Sequence, residues 1–168
     1  KQAIDRRHFL AWAGAPLLAL PARAQDSFPS RTIKIVVPVP PGASTDAIAR
    51  HLAQRLATKL NQTVIVENRA GGAGGNIGSE TVANADPDGY TLLFAASGPL
   101  AINKALYPKL GYDPMRWSRI SLIATIDNVL LVRPDAPFRT VADLIAFAKA
   151  NPGKLNYASG GSGTSAHL

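Results

Sequence analysis

The chain has 168 residues and a mass of 17.7 kDa, enough for one domain with a sizeable core and too short for two complete ones. Hydrophobic residues make up 46% and charged residues 17%, a balance that can bury its apolar surface and excludes wholesale disorder. The absence of cysteine excludes a disulfide scaffold, thiol redox chemistry and Cys-ligated zinc or iron–sulfur sites, while fourteen glycines and thirteen prolines argue against an all-helical bundle.

The net charge of +7 invites a nucleic-acid reading, but its distribution opposes it. Within residues 1–24, Lys1, Arg6, Arg7 and Arg23 stand against Asp5, so three of the seven net charges lie there and four are scattered over the rest. No basic run interleaved with aromatics follows position 25, and no nucleic-acid partner is expected. Residues 1–24 carry a basic stretch ending at Arg6-Arg7, an apolar run from Phe9 to Leu20, then Pro21 and Ala22-Arg23-Ala24 with small residues two apart. That is the layout of a secretory signal peptide. The apolar run falls well short of the roughly 20 residues that span a bilayer. Arg6-Arg7-His8-Phe9-Leu10 resembles a twin-arginine export signal, with Asp5 and Ala11 departing from it, and the general secretory route stays open. The mature chain is expected to be soluble and periplasmic.

Thr32 to Val37, closed by Pro38-Val39-Pro40-Pro41-Gly42, predicts a strand buried on both faces. From Asp46, Ile48, Leu52, Leu56 and Leu60 recur every fourth residue beside Ala49, Ala53 and Ala57, which predicts an amphipathic helix with Ser44 or Thr45 as its N-cap. Val64 to Val66 supplies a second strand, Gly71 to Gly75 a flexible loop before a shorter helix through Ile77, Thr81 and Val82, and Thr91 to Ala95 a third strand. This β–α–β–α–β order predicts an α/β fold with a parallel sheet, right-handed crossovers, helices on both faces and a ligand site at the strands' carboxyl ends. A short helical stretch ends at Leu106. Ile120 to Ile126 and Asn128 to Val132 read as one strand path between two lobes. Thr140-Val141-Ala142-Asp143 predicts a capping-box helix start, with a stop at Asn151-Pro152-Gly153, and Leu155 to Ala158 a further strand. A glycine-rich loop follows to Leu168, where another helix is expected to begin, which suggests a cut sequence.

Two places are suited to an anion. Pro41, Gly42, Ala43, Ser44, Thr45 and Asp46 join a buried strand to a helix N-terminus, where free amides, the helix dipole and the hydroxyls of Ser44 and Thr45 favour negative charge; simple helix capping is the alternative. Ser159, Gly160, Gly161, Ser162, Gly163, Thr164 and Ser165 form the second glycine-rich turn after a strand, with His167 beyond it as either a packing residue or an anion donor. The glycines from Gly72 to Gly78 follow the second strand rather than the first and make a poor dinucleotide fingerprint; they read as a mobile loop or as tight helix–strand packing. No G-x-S-x-G elbow exists, since Gly161-Ser162-Gly163 is followed by Thr164, and metal-ligand spacing is absent. Neither metal nor cofactor is expected. Trp117, Tyr107 and Tyr112 are expected to cover the sheet edge.

Six motifs together resemble the tripartite tricarboxylate transporter receptors, the Bug family. They are Pro38-Val39-Pro40-Pro41-Gly42-Ala43-Ser44-Thr45-Asp46, Val66-Glu67-Asn68-Arg69-Ala70-Gly71, Gly74-Gly75-Asn76-Ile77-Gly78, Pro87-Asp88-Gly89-Tyr90-Thr91-Leu92-Leu93, Ala101-Ile102-Asn103 and Asn151 to Ser159. The resemblance implies a periplasmic solute-binding fold of the Venus flytrap kind, with two α/β lobes closing on a small carboxylate. It nominates Pro41 to Asp46, Ser97 and Gly98 on the first lobe, and Ser159 to Ser165 with His167 on the second. Ala43 departs from the glycine usual there, and the chain is about half the family's length, so lobe 2 is expected to be incomplete.

The expected organisation is a signal peptide over 1–24, lobe 1 over 25–126 and the start of lobe 2 over 127–168. The expected function is non-enzymatic capture of a carboxylate by a monomeric receptor that serves the membrane components of a tripartite transporter. The rivals are a hydrolase-like or nucleotide-dependent α/β enzyme fragment and a truncated remnant of the receptor.

Overall fold

Strand β1 (Ile33–Val37) lies at the centre of a three-stranded sheet, with β2 (Val64–Asn68) and β3 (Thr91–Leu93) on either side. The computed structural model describes residues 27–168, so the expected signal peptide lies outside the described residues. Both neighbours run parallel to β1, Ile35 pairing with Val66 on one side and Leu92 on the other. The β-branched sequence IKIVV suits that central position, because Ile33, Ile35, Val36 and Val37 are all at most 2% exposed.

Helix α1 (Ser44–Leu60) crosses from β1 to β2 and packs on both. Its innermost residues are Ala49 and Ala53, which join Ile35 and Val37 in the core, while Leu56 packs at the margin. The leucine stripe read from the sequence is therefore only half-buried. Alanine lets the helix axis approach the sheet closely, and the larger side chains spread along the flanks. Asn61 ends α1 in the left-handed conformation, its amide donating to the Ala57 carbonyl.

Helix α2 (Asn76–Ala83) returns across β1 to β3 and packs against both. The order β2-β1-β3 reverses the direction of travel, and right-handed crossovers then place α1 and α2 on opposite faces. The fully buried Val36, which alternation points away from Ile35 and Val37, occupies the second face.

Beyond β3, Gly98–Ile102 forms a π-helical turn that runs into α3 (Asn103–Leu106). Helix α4 (Val141–Ala150) begins with the expected capping box: Asp143 N–H donates to Thr140 Oγ1 at 3.2 Å, and Thr140 N–H to Asp143 Oδ2 at 3.1 Å. Its Phe147 ring lies 5.5 Å from that of Phe138. No described helix is long and apolar enough to cross a membrane.

Two expectations for strands fail. Residues 120–132 and 155–158 form no ladder, and Ile120, Leu122 and Leu131 are each at least 80% exposed. An apolar run supplies strand propensity, but a strand exists only where a neighbour offers backbone amides and carbonyls at the ladder spacing. None of the described strands does so for these segments.

The buried centre of β1 carries a direct consequence. Ile35→Ala is expected to lower stability by about 2–5 kcal/mol in urea unfolding of the full chain. Ile65→Ala, at an exposed position of β2, should shift it by less than about 0.5 kcal/mol.

Candidate functional site

Because all three strands are parallel, their following loops emerge at one edge of the sheet, and the reversal of strand order at β1 leaves a crevice there. A cleft of about 380 Å³ occupies this position. Its walls are Pro38, Val39 and Pro40 after β1, the Ala70–Gly75 turn after β2, Ala96, Gly98 and Pro99 after β3, and the turn Gly160–Ser165. No described lining residue is charged. What it offers an anion is hydroxyls and amides.

The loop after β1 is held from below by a polar cluster. Asp46, only 2% exposed, accepts from the Gly42 amide at 2.9 Å, from Arg50 Nε at 3.0 Å and from Asn68 Nδ2 at 2.8 Å. Asn68 Nδ2 also donates to the Val39 carbonyl at 3.1 Å, and Arg50 donates to Asn68 Oδ1 at 2.8 Å. These donors, Arg50 first, then Gly42 and Asn68, depress the Asp46 carboxyl to about 2. The expected cap is thereby corrected. Helix α1 starts at Ser44 with Ala43 as N-cap and no side-chain cap from Ser44 or Thr45, while Asp46 reaches back one turn to the Gly42 amide. The sequence pattern suggests a hydroxyl cap, but the buried carboxylate reaches four residues back and also neutralises the helix terminus.

The turn after β2 presses on the same loop. A Cβ at Gly78 would lie 2.9 Å from Pro38 Cβ and 2.7 Å from the Arg69 carbonyl, so these glycines serve tight packing. Of the two readings of this stretch, close contact is the one observed.

The Gly160–Ser165 turn closes the remaining side. Ser162 Oγ accepts from the Tyr107 hydroxyl at 3.2 Å. Gly163 is buried, and a Cβ there would come within 3.0 Å of Gly74 Cα. Thr164 N–H and its hydroxyl both bond the Gly161 carbonyl, and Gly161 N–H donates to Ser159 Oγ at 3.3 Å. The amides of Ser162 and Gly163 have no acceptor among the described residues.

The structure thus gathers Gly98, Gly160, Gly161, Ser162, Gly163, Thr164 and Ser165 around one cleft. Pro41, Gly42, Ala43, Ser44, Thr45 and Ser97 are not among the residues that line it, nor is Asp46, which is already bonded to the Gly42 amide. Ser159 and His167 lie outside the lining and pair with each other, Ser159 Oγ to Nδ1 at 2.8 Å. Tyr107 contributes to the site rather than to the sheet edge, whereas Tyr112 stacks on Trp117 at 5.1 Å. Sequence reasoning missed Pro38, Val39 and Pro40 as walls, although their place directly after the central strand was a usable signal.

The Ser159–His167 pair does not have the geometry of a hydrolytic triad. In such a triad serine bonds one ring nitrogen and a carboxylate orients the other through Nδ1. Here Ser159 itself occupies Nδ1, on an exposed pair.

The profile of the tripartite tricarboxylate transporter receptor family matches residues 48–168. The chain belongs to this family. The UPF0065 protein of the tcbD–tcbE intergenic region in Pseudomonas sp. (strain P51) is 44% identical over 168 residues, covering 98% of this chain and 49% of the relative. BugT of Bordetella pertussis (strain Tohama I) is 41% identical, covering 95% and 48%. Among solved structures, one described as a periplasmic transporter superposes with a TM-score of 0.74 at 42% identity, covering 80% of this chain and 45% of that one. Rpa4515 of R. palustris, solved with adipate, gives 0.70 at 37% identity, covering 76% and 43%. The fold is thus that of the periplasmic solute-binding receptors, and the chain spans about half the length of the relatives it matches.

The Asp46 cluster fixes an acid response. The folded-state value lies below the ordinary carboxylate value near 4, so the unfolded chain binds the extra proton between them. Asp46 therefore contributes stability above about pH 4 that is lost as the pH falls through about 2. Asp46→Asn is expected to flatten part of that loss in urea midpoints measured from pH 5 to 2. Glu67, Asp113 and Asp143, whose carboxyls are also lowered by hydrogen bonds, retain the remainder.

Proposed function

We propose that this chain is the ligand-collecting part of a periplasmic receptor that captures a small carboxylate for the membrane components of a tripartite transporter. The observation that carries the reading is the convergence of the strand-end loops and the Gly160–Ser165 turn on one uncharged cleft with unspent amides and hydroxyls. A carboxylate there accepts hydrogen bonds from Ser162 and Ser165 and from the amides around Gly98 and Gly163, while Thr164, whose N–H and hydroxyl both bond the Gly161 carbonyl, holds the turn. Exclusion of water on closure strengthens each of those bonds. The apolar walls at Pro38, Val39 and Pro99 suit the hydrocarbon body of the ligand, and the relative solved with adipate has that chemistry.

In this reading Pro41, Gly42, Ala43, Ser44 and Thr45 form the rim on the α1 side, with Ser97 beside them. Asp46 is the positioning group that holds the rim. Ser159 and His167 brace the base of the second turn. Residues 25–126 constitute lobe 1, residues 127–168 open lobe 2, and residues 1–24 direct export. The receptor acts as a monomer and binds without turnover.

Calorimetry on the full chain with adipate, shorter dicarboxylates, monocarboxylates, aromatic acids and amino acids is expected to find at least one ligand. Ser162→Ala should weaken it about fivefold, the effect of one lost hydrogen bond. No heat across the whole panel overturns the reading.

A further inference from the structure

Asn103, the first residue of α3, is fully buried, and no role described above uses it. Its Nδ2 donates to the Gly74 carbonyl at 3.3 Å and to Asn76 Oδ1 at 2.6 Å. Asn76 Oδ1 also lies 3.1 Å from the Tyr112 hydroxyl, which in turn lies 3.0 Å from the Pro99 carbonyl. The donor end of Asn103 is thus tied to the turn after β2. Its acceptor end is different. Asn103 Oδ1 is buried with no hydrogen-bond partner among the described residues.

That oxygen lies against the other turn. A Cβ built on Gly163 would come within 2.8 Å of it, and one built on Gly74 within 3.0 Å. Gly74 and Gly163 both line the cleft, so a single carboxamide touches both glycine turns from behind. An acceptor stripped of water and left unpaired is unfavourable. Seating Gly163 over Oδ1 incurs that cost, and lifting it admits water.

We propose that Asn103 is a positioning residue that couples the two turns, so that Gly74–Asn76 and Gly160–Ser165 change conformation together. The amide donors set the first turn, and the bare oxygen opposes seating of the second until a ligand's own contacts compensate. The ligand clause rests on the carboxylate reading above; the coupling of the turns does not.

Native-state hydrogen exchange on the full chain tests it. Amides of Gly74–Asn76 and Gly160–Ser165 are expected to open with one free energy and one denaturant dependence, well below that of β1. In Asn103→Ala, exchange in Gly74–Asn76 should rise about tenfold through loss of the amide donor, while that in Gly160–Ser165 should not rise and β1 protection stays unchanged. Adipate should protect both turns in the parent chain and only Gly160–Ser165 in the variant. Separate opening energies in the parent chain overturn the proposal, as does, in Asn103→Ala, a loss of β1 protection equal to that of Gly74–Asn76 or an equal rise of exchange in Gly160–Ser165. If Asn103→Ala does not fold, the parent-chain comparison decides. If adipate leaves exchange untouched while the turns still open as one, the coupling stands and adipate capture is rejected.

Discussion

The parallel placement of β2 and β3 on both sides of β1 is the constraint from which the cleft follows. Parallel neighbours force each connection to cross the sheet, and right-handed crossovers in opposite directions place one helix on each face. With both faces covered, the carboxyl edge of the sheet is where three loops can meet. Each loop is short and rich in glycine or proline because it must leave a buried strand and turn at once. The cleft is therefore a product of topology before any particular side chain enters.

Two buried polar clusters then give that edge a definite shape. Asp46, Arg50 and Asn68 fix the loop after β1 through Gly42 and Val39, and a buried carboxylate with three donors is stabilised where an isolated one would be costly. Asn76, Asn103 and Tyr112 do the same for the turn after β2 and the π-helical turn after β3. The first cluster also places negative charge at the start of α1. The helix terminus, an inviting anion site in isolation, is already compensated by the protein's own carboxylate. The amides of Ser162 and Gly163, by contrast, have no acceptor among the described residues.

Much of this was legible in the sequence where one residue type has one dominant physical outcome. The IKIVV run reads as a central strand because it is apolar at consecutive positions, and Thr140 with Asp143 reads as a capping box because the reciprocal bonds are local. The glycine turns at 71–75 and 159–165 were visible as turns. Less legible were the roles that depend on distant partners. Tyr107 meets Ser162 across 55 positions, and Asn103 meets Gly74 across 29. Residues 120–132 have the composition of strands without the neighbour that would make them so.

By itself the sequence determined the strand–helix order from β1 to β3, the parallel sense of the sheet and the positions of its glycine turns, since these follow from periodicity, crossover length and backbone freedom. It also carried enough ordered motifs to indicate the receptor family. Tertiary structure alone decided which amides are spent and which remain: that Gly42 is taken by Asp46, that Asn103 Oδ1 is left bare beneath Gly163, and that Pro38 to Pro40 wall the cleft. The reason is that hydrogen bonding and close packing are pairwise. A residue's type fixes what it can offer, and only the fold fixes what it meets.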